Sequence, residues 1–428
     1  MLTASCTVLR EFLYALVELV LALPRHAIAL LRRDSRLQHF SSLPKVAALD
    51  NAELPAVTRE LKSIFISVGD QSGQAHALKI ITLLRQRHPN LKISGFGSDE
   101  MQAQGVEVIL PLADLNIMGF RDVLLRLPLF FRAIFSFTRS IKTSPPDMVL
   151  LIDYPGLNRH LLRIAKRHNI CVVDYIVPQL WAWAPWRVAD FKRADALLSI
   201  LPFEAAWYQS QNAKAHFVGH PIADELPPIH DNSTSNIVAL LPGSRRREIK
   251  SNLPIMLEAA QLLQKDNPQL KFILPHSRPQ LAELINDIIK NCHIDIELSY
   301  CDWHQRLTTA RAAWVVSGTA SLEVAAMGIP AVIVYQINSK VGAWLAKNAL
   351  AVPFIGGINL IANQQVFPEL VGKNLNPADL CREMTVLLSA DNYSTLQQRL
   401  TDIRLRYLQP LVSQRVVKIL ENIEPTSR

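Results

Sequence analysis

Three consecutive arginines, Arg245 to Arg247, follow a Pro-Gly-Ser turn in "LPGSRRREI" (241–249). The apolar run "IVALL" (237–241) precedes the turn, and an amphipathic stretch ending near Leu263 follows it. A strand, a glycine turn and a helix start bring backbone N–H groups and the positive end of a helix dipole to one point. Gly243 lets the backbone come close to a ligand, Ser244 adds a hydroxyl, and Arg245 can grip a phosphate through two N–H groups. The stretch lacks GxxxxGK[ST], so it is not a P-loop. A solvated basic turn is the competing reading.

"VVSGTASLE" (315–323) repeats the arrangement. Ser317, Gly318 and Thr319 offer hydroxyl and backbone donors, and Glu323 falls one to two turns into the following helix. Two donor-rich helix starts suit a diphosphate, with Glu323 available for a ribose hydroxyl; ordinary N-capping by Ser317 or Thr319 stays open. Neither stretch carries a carboxylate cluster for Mg²⁺, which leaves arginine and backbone to neutralise phosphate charge.

Asp153 stands directly after the apolar run "MVLLI" (148–152). A carboxylate there can take a proton from an attacking hydroxyl, or it can make an Asx turn or cap the next helix. "SVGDQSGQAHA" (67–77) is a glycine-bearing turn without GxGxxG. Its Gly69, Ser72 and Gly73 leave room for a bulky ligand, or simply form a tight turn capped by Ser72.

These residues need elements to hold them. From residue 62, short apolar runs read as buried strands: "SIFISV" (63–68), "MVLLI", "ICVVDYIV" (170–177) and "ALLSI" (196–200). Helical patterns such as 75–87 and 157–168 intervene. The polar, proline-bearing stretch 220–236 reads as a linker, after which strands resume with "IVALL", "LKFILP" (270–275), "AAWVVS" (312–317) and "PAVIVY" (330–335). This alternation implies right-handed βαβ units and two doubly wound α/β domains in tandem, with ligands beyond the carboxyl ends of the strands and a cleft between the domains. The expected divisions are a helical extension over 1–60, domains over 61–225 and 236–390, and a helical segment over 391–428.

The chain has 428 residues, 49% of them hydrophobic, and a formal charge of +8. That balance suggests an anionic partner: RNA, anionic lipid or a phosphorylated substrate. Five scattered cysteines without metal spacing read as reduced thiols in a cytosolic protein without structural zinc. Trp181, Trp183 and Trp186 lack interleaved basic residues, which favours a packed domain corner over nucleic-acid stacking. At the N-terminus, "FLYALVELVLALPRHAIALLRR" carries Glu18 and Pro24, so it falls short of the roughly 20 clean residues of a span. It reads as an interfacial or docking helix followed by Arg32, Arg33 and Arg36, or as a helix on the protein's own surface. In the stretch 123–142, Leu129, Phe130, Phe131 and Phe135 share space with arginines, a pattern that an anionic bilayer surface attracts; a buried crossover helix is the competing reading, which explains the apolar residues but not the spread of arginines.

Taken in order between residues 62 and 380, these stretches resemble the lipid-A-disaccharide synthase family. The matching motifs are the Gly69–Ser72–Gly73 turn, "IMGF" (117–120), "IDYPGLN", "PQLWAW", "LPFE" (201–204), "FVGHPIAD" (217–224), "LLPGSRRREI", "SGTASLE" and "NLIANQQVFPEL" (359–370). The resemblance implies a GT-B glycosyltransferase with UDP-2,3-diacylglucosamine as donor and 2,3-diacylglucosamine 1-phosphate (lipid X) as acceptor. It further implies inversion, no cofactor, no obligatory metal, work at the cytoplasmic face of the inner membrane, and in some members a homodimer. Asp153 matches the general base. Arg245, with Gly243 and Ser244, matches the diphosphate contact; Ser317, Gly318, Thr319, Glu323 and Asn359 match the nucleotide side. Met118 and Gly119 join Gly69, Ser72 and Gly73 on the acceptor side, and the stretch after Gly119 matches the region that dips into the membrane.

Two departures stand out. Gln74 replaces an acidic residue of the family's turn, and Asn363-Gln364-Gln365 replaces Gly-Arg-Glu. They allow a related transferase acting on another lipid-linked acceptor. A non-catalytic membrane scaffold is a third reading, which the intact Asp153 and Arg245 disfavour.

Overall fold

The computed structural model describes residues 2–49, 57, 60–113, 127–290, 292–300, 302–337, 339 and 350–423. The chain divides into two compact units. Met1–Asp34, Ser42–Pro221 and Pro410–Arg428 form the first; Ser35–Ser41 and Ile222–Gln409 form the second.

The first unit opens with α1 (Leu2–Leu31), and α2 (Arg33–Ser41) follows it across the division. Then come β1 (Ser63–Val68), α3 (Gln71–Arg87), β2 (Lys92–Phe96), β3 (Glu107–Leu110), α4 (Leu127–Thr143), β4 (Met148–Ile152) and α5 (Pro155–Arg167). β5 (Cys171–Tyr175), β6 (Ala196–Ser199), α6 (Pro202–Ser210) and β7 (Ala215–Phe217) complete the sheet. Among the described residues the strands run in the order β3-β2-β1-β4-β5-β6-β7, all parallel. Every residue of β4 and β5 is buried, odd and even positions alike, as a sheet covered on both faces requires.

The second unit carries β8 (Ile237–Leu241), α7 (Arg246–Asp266), β9 (Lys271–Pro275), β10 (Ile296–Ser299), β11 (Ala312–Val315), α8 (Thr319–Ala326) and β12 (Ala331–Gln336). It ends with α9 (Gly357–Ala362), β13 (Glu369–Gly372), α10 (Pro377–Leu388) and α11 (Ala390–Tyr407). Its sheet, order β10-β9-β8-β11-β12-β13, is also parallel throughout. Both units are therefore Rossmann-like. In each, the strand order reverses beside the first strand: between β1 and β4, and between β8 and β11. A reversal of this kind sends the connecting chains to opposite faces and opens a crevice at the carboxyl ends of the two strands.

The C-terminal stretch, expected as one helical segment, is two helices. Pro410 cannot continue α11, Leu411 takes a left-handed φ of 71°, and α12 (Val412–Asn422) returns to the first unit. Val412, Val416, Val417 and Leu420 join that unit's core. At its end the buried Glu421 accepts hydrogen bonds from Arg87 Nε and Nη2, both 2.7 Å, and from His88 Nε2 at 2.9 Å. Removing one partner of a buried pair leaves the other charge unpaired, so Glu421→Ala is expected to destabilise the first unit by about 3 kcal/mol. A thermal melt in which Glu421→Ala matches wild type would show that α12 is held by its apolar face alone.

Candidate functional site

In the first unit the switch point lies between Val68 and Ile152, which pair as neighbours in register. The turns that follow them interlock. A Cβ at Gly69 would lie 2.2 Å from the Tyr154 ring, so only glycine fits there. Asp70, and not Ser72, caps α3: its carboxylate accepts the Gly73 N–H at 2.8 Å.

Asp153 and Tyr154 both have φ of 50°, two successive left-handed residues without glycine. Such geometry is costly and persists only where its surroundings hold it. Here the Asp153 N–H donates to the Tyr175 carbonyl (2.9 Å), and Asp153 Oδ1 accepts the Tyr154 N–H (2.8 Å). Buried Asn158 donates from Nδ2 to the Asp153 carbonyl and accepts the Ser67 hydroxyl at 2.8 Å. Asp153 does not cap α5; that position belongs to Tyr154. Its self-turn engages one carboxylate oxygen only. Burial, and then the negative charge of Asp70, push the Asp153 carboxyl up to about 6. Asp174 of β5 is completely buried, and burial followed by the charge of Asp153 raises it well above the usual carboxylate range. At about 6, the Asp153 carboxyl is ionised at neutral pH and still basic enough to accept a proton.

Two histidines that the sequence reading passed over belong to this unit. His76 packs edge-on against Tyr175, with ring centroids 6.2 Å apart. His220 is pushed down to about 4 by burial and then by His76, so its ring is neutral at pH 7. Gln74, one of the departures, is buried and donates to Glu100 Oε2 at 2.7 Å, a place where an acidic side chain would meet Glu100 in repulsion.

The tryptophan cluster is a corner only in part. Trp181 is buried and donates to Glu204, whose carboxyl is raised to about 8 by burial. Trp183 stays exposed under the Arg187 guanidinium. Leu129, Phe130, Phe131 and Phe135 on α4 are half-buried, with Phe131 edge-on to Phe12 of α1. Met118 and Gly119 lie outside the described residues.

In the second unit Leu241 and Val315 are register partners at the switch point, and the turns after them line one pocket of 390 Å³. Gly243, Ser244, Arg245, Ser317, Gly318, Thr319 and Glu323 all line it. Gly243 (φ 108°) and Gly318 (φ 141°) take backbone conformations closed to other residues. Neither Ser317 nor Thr319 caps α8: the cap position is Gly318, and the Ser317 hydroxyl donates to the Ile355 carbonyl at 3.1 Å.

The arginine turn already holds an anion of its own. Glu248 Oε2 accepts the N–H groups of Ser244 and Arg245 (3.1 and 3.2 Å), while Oε1 accepts Arg245 Nη1 at 3.2 Å. The Arg245 side chain remains 76% exposed, free to reach a second acceptor. His276, also in the lining, donates from Nε2 to the Gly243 carbonyl (3.1 Å) and accepts the Arg278 N–H on Nδ1 (3.0 Å), which fixes the neutral tautomer. Burial lowers its pKa. Arg278 and Trp303 add a second guanidinium and an aromatic face to the lining. Glu323 lies 3.9 Å from His304 Nε2.

Asn359 is not in the lining. It is fully buried, accepting the N–H groups of Val366 and Phe367 and donating to the Phe367 carbonyl and Glu369. Glu369 in turn accepts from Ile355 and Gly356 N–H, so Asn359 stiffens the loop whose carbonyl receives Ser317. Asn363 ends α9 with φ 49°, a left-handed C-cap that asparagine tolerates well.

Comparison with known proteins gives the family and the fold. A family model described as "Lipid-A-disaccharide synthetase" matches residues 64–422. The lipid-A-disaccharide synthase of Trichlorobacter lovleyi is 34% identical over 357 residues, 81% of this chain and 93% of that protein. The enzyme of the same name from Coxiella burnetii is 32% identical, covering 85% and 98%. Among solved structures, MurG of Acinetobacter baumannii (TM-score 0.55, 16% identity, 84% and 99% covered) and the calicheamicin glycosyltransferase (0.55, 16%, 86% and 100%) share the fold. With a family match across both units and relatives above 30% identity over most of their length, the chain belongs to the lipid-A-disaccharide synthase family, glycosyltransferases of the GT-B fold.

Proposed function

We propose that the protein transfers 2,3-diacylglucosamine from UDP-2,3-diacylglucosamine to the 6-hydroxyl of lipid X, releasing UDP. The reading rests on one observation: each sheet carries the needed chemistry at its own switch point, a carboxylate with raised pKa in the first unit and an arginine-bearing glycine turn in the second. Asp153 takes the proton of the acceptor hydroxyl as its oxygen attacks the anomeric carbon from the side opposite UDP, so the sugar inverts. The carbon–oxygen bond to the diphosphate breaks, and Arg245 with the Ser244 turn receives the developing charge, without an obligatory metal. Glu323 holds the ribose, and Ser317 and Thr319 contact the phosphates. The acyl chains of both substrates call for work at a membrane surface, in this reading the cytoplasmic face of the inner membrane, with Leu129, Phe130, Phe131 and Phe135 on the lipid side.

An assay of purified protein with UDP-2,3-diacylglucosamine should show UDP release that depends on lipid X, together with a disaccharide 1-phosphate product. Preference for plain UDP-N-acetylglucosamine and a different lipid-linked acceptor would replace this substrate assignment with the related-transferase reading.

A further inference from the structure

Helix α1 is built inside out. Its acidic residues face the protein: Glu11 and Glu18 are buried, with Tyr14 between them on the same face. Glu11 accepts from His160 Nδ1 (2.8 Å) and Arg167 Nη1 (2.6 Å) and lies 3.4 Å from Arg163 Nε. Burial alone would raise the Glu11 carboxyl, but these partners hold it down at about 2. Glu18 pairs with Arg25 and lies 3.6 Å from Arg159, and Tyr14 donates to Asp190 at 2.6 Å beneath the Arg163 guanidinium. The opposite face is apolar and bare. Leu13 (54% exposed), Leu16 (42%), Val20 (70%) and Leu23 (82%) run along its centre, flanked by Phe12, Val17 and Leu19.

At 1.5 Å per residue the helix is about 45 Å long. Its apolar arc is wider than the two-position seam of a coiled coil, and no acidic side chain interrupts it. Exposed Arg10 and Arg32 stand near its two ends. Between α1 and α4 runs an apolar furrow of 490 Å³, lined by Val8, Phe12, Phe131 and Phe135 with the exposed Arg132 among them. A broad apolar arc with guanidiniums at its margins matches the acyl layer and phosphates of an anionic bilayer, whereas a second protein copy would meet it with a narrower seam.

We infer that α1 is the protein's membrane-docking element, lying in the plane of an anionic lipid surface with its ion-paired face fixed to the first unit and its leucine face in the acyl layer. The segment precedes the family-matched residues 64–422, so the inference concerns a part of the chain that the family comparison leaves unassigned. It deepens the membrane part of the proposed function and needs no substrate to test.

The test is co-flotation of the full-length protein with vesicles of phosphatidylethanolamine and phosphatidylglycerol, and with phosphatidylcholine vesicles alone. Wild type should float with the anionic vesicles, more weakly with the neutral ones, and partly lose binding at high salt. Val20→Glu and Leu23→Glu, at positions 70% and 82% exposed where folding is undisturbed, should each lower partition by about tenfold. Leu405→Glu on α11, an equally bare leucine at 62% exposure, should leave it unchanged. The inference fails if both α1 variants float like wild type. It also fails if wild type ignores vesicles and sediments as a lipid-free dimer that the two variants convert to monomer. Loss of lipid X dependence with flotation intact would overturn the substrate assignment alone.

Discussion

Asp153→Asn is expected to cut kcat by about a thousandfold while UDP binding stays unchanged, the usual scale for removing a general base. Asparagine keeps the oxygen that accepts the Tyr154 N–H, so the left-handed turn survives and only proton acceptance is lost. The pH profile separates this from a structural defect. Burial and the charge of Asp70 place the Asp153 carboxyl at about 6. As pH falls through that value the base becomes protonated and kcat/KM of the wild type should fall; above it the rate should level off. In Asp153→Asn the residual rate should lack this acid limb. Near-normal turnover in the variant would return Asp153 to the role of a turn residue.

The second large effect concerns Arg245. Arg245→Ala should lower kcat by about a hundredfold or more, because the guanidinium acts on charge that grows as the diphosphate leaves. Arg245→Lys keeps the charge and loses the fork, so it should recover only part of the rate. Single-turnover kinetics with a defined donor give the comparison. Should Arg245→Ala raise KM alone, the arginine would be a ground-state contact and the departing charge would fall to Arg278, the other guanidinium of the lining.

The central strands were legible because they are buried on both faces and read as unbroken apolar runs: β1, β4 and β8 begin and end where the pattern places them. The edge strands were not. Glu107–Leu110, Ile296–Ser299 and Glu369–Gly372 are short and partly exposed, so their polar residues hide the period. The glycine turns and Asp153 were readable because strand–turn–helix junctions leave local marks. His276, Arg278 and Trp303 were not, since they follow β9 and β10, strands that only the sheet order brings to the same side of β8. Asn359 was marked as a ligand contact although its amide is consumed in bracing a loop, a distinction that residue type cannot make. In α1 the apolar run and its interruption by Glu18 were visible, but which face turns inward depends on the arginines of α5, far along the chain.

Glu248 gives the arginine turn a resident counter-ion that covalently belongs to the protein. The shape of the turn is therefore held by the protein's own charge and does not depend on a ligand. Under the proposed function, the same carboxylate would compete with a diphosphate for Arg245 and so favour departure of UDP over its retention.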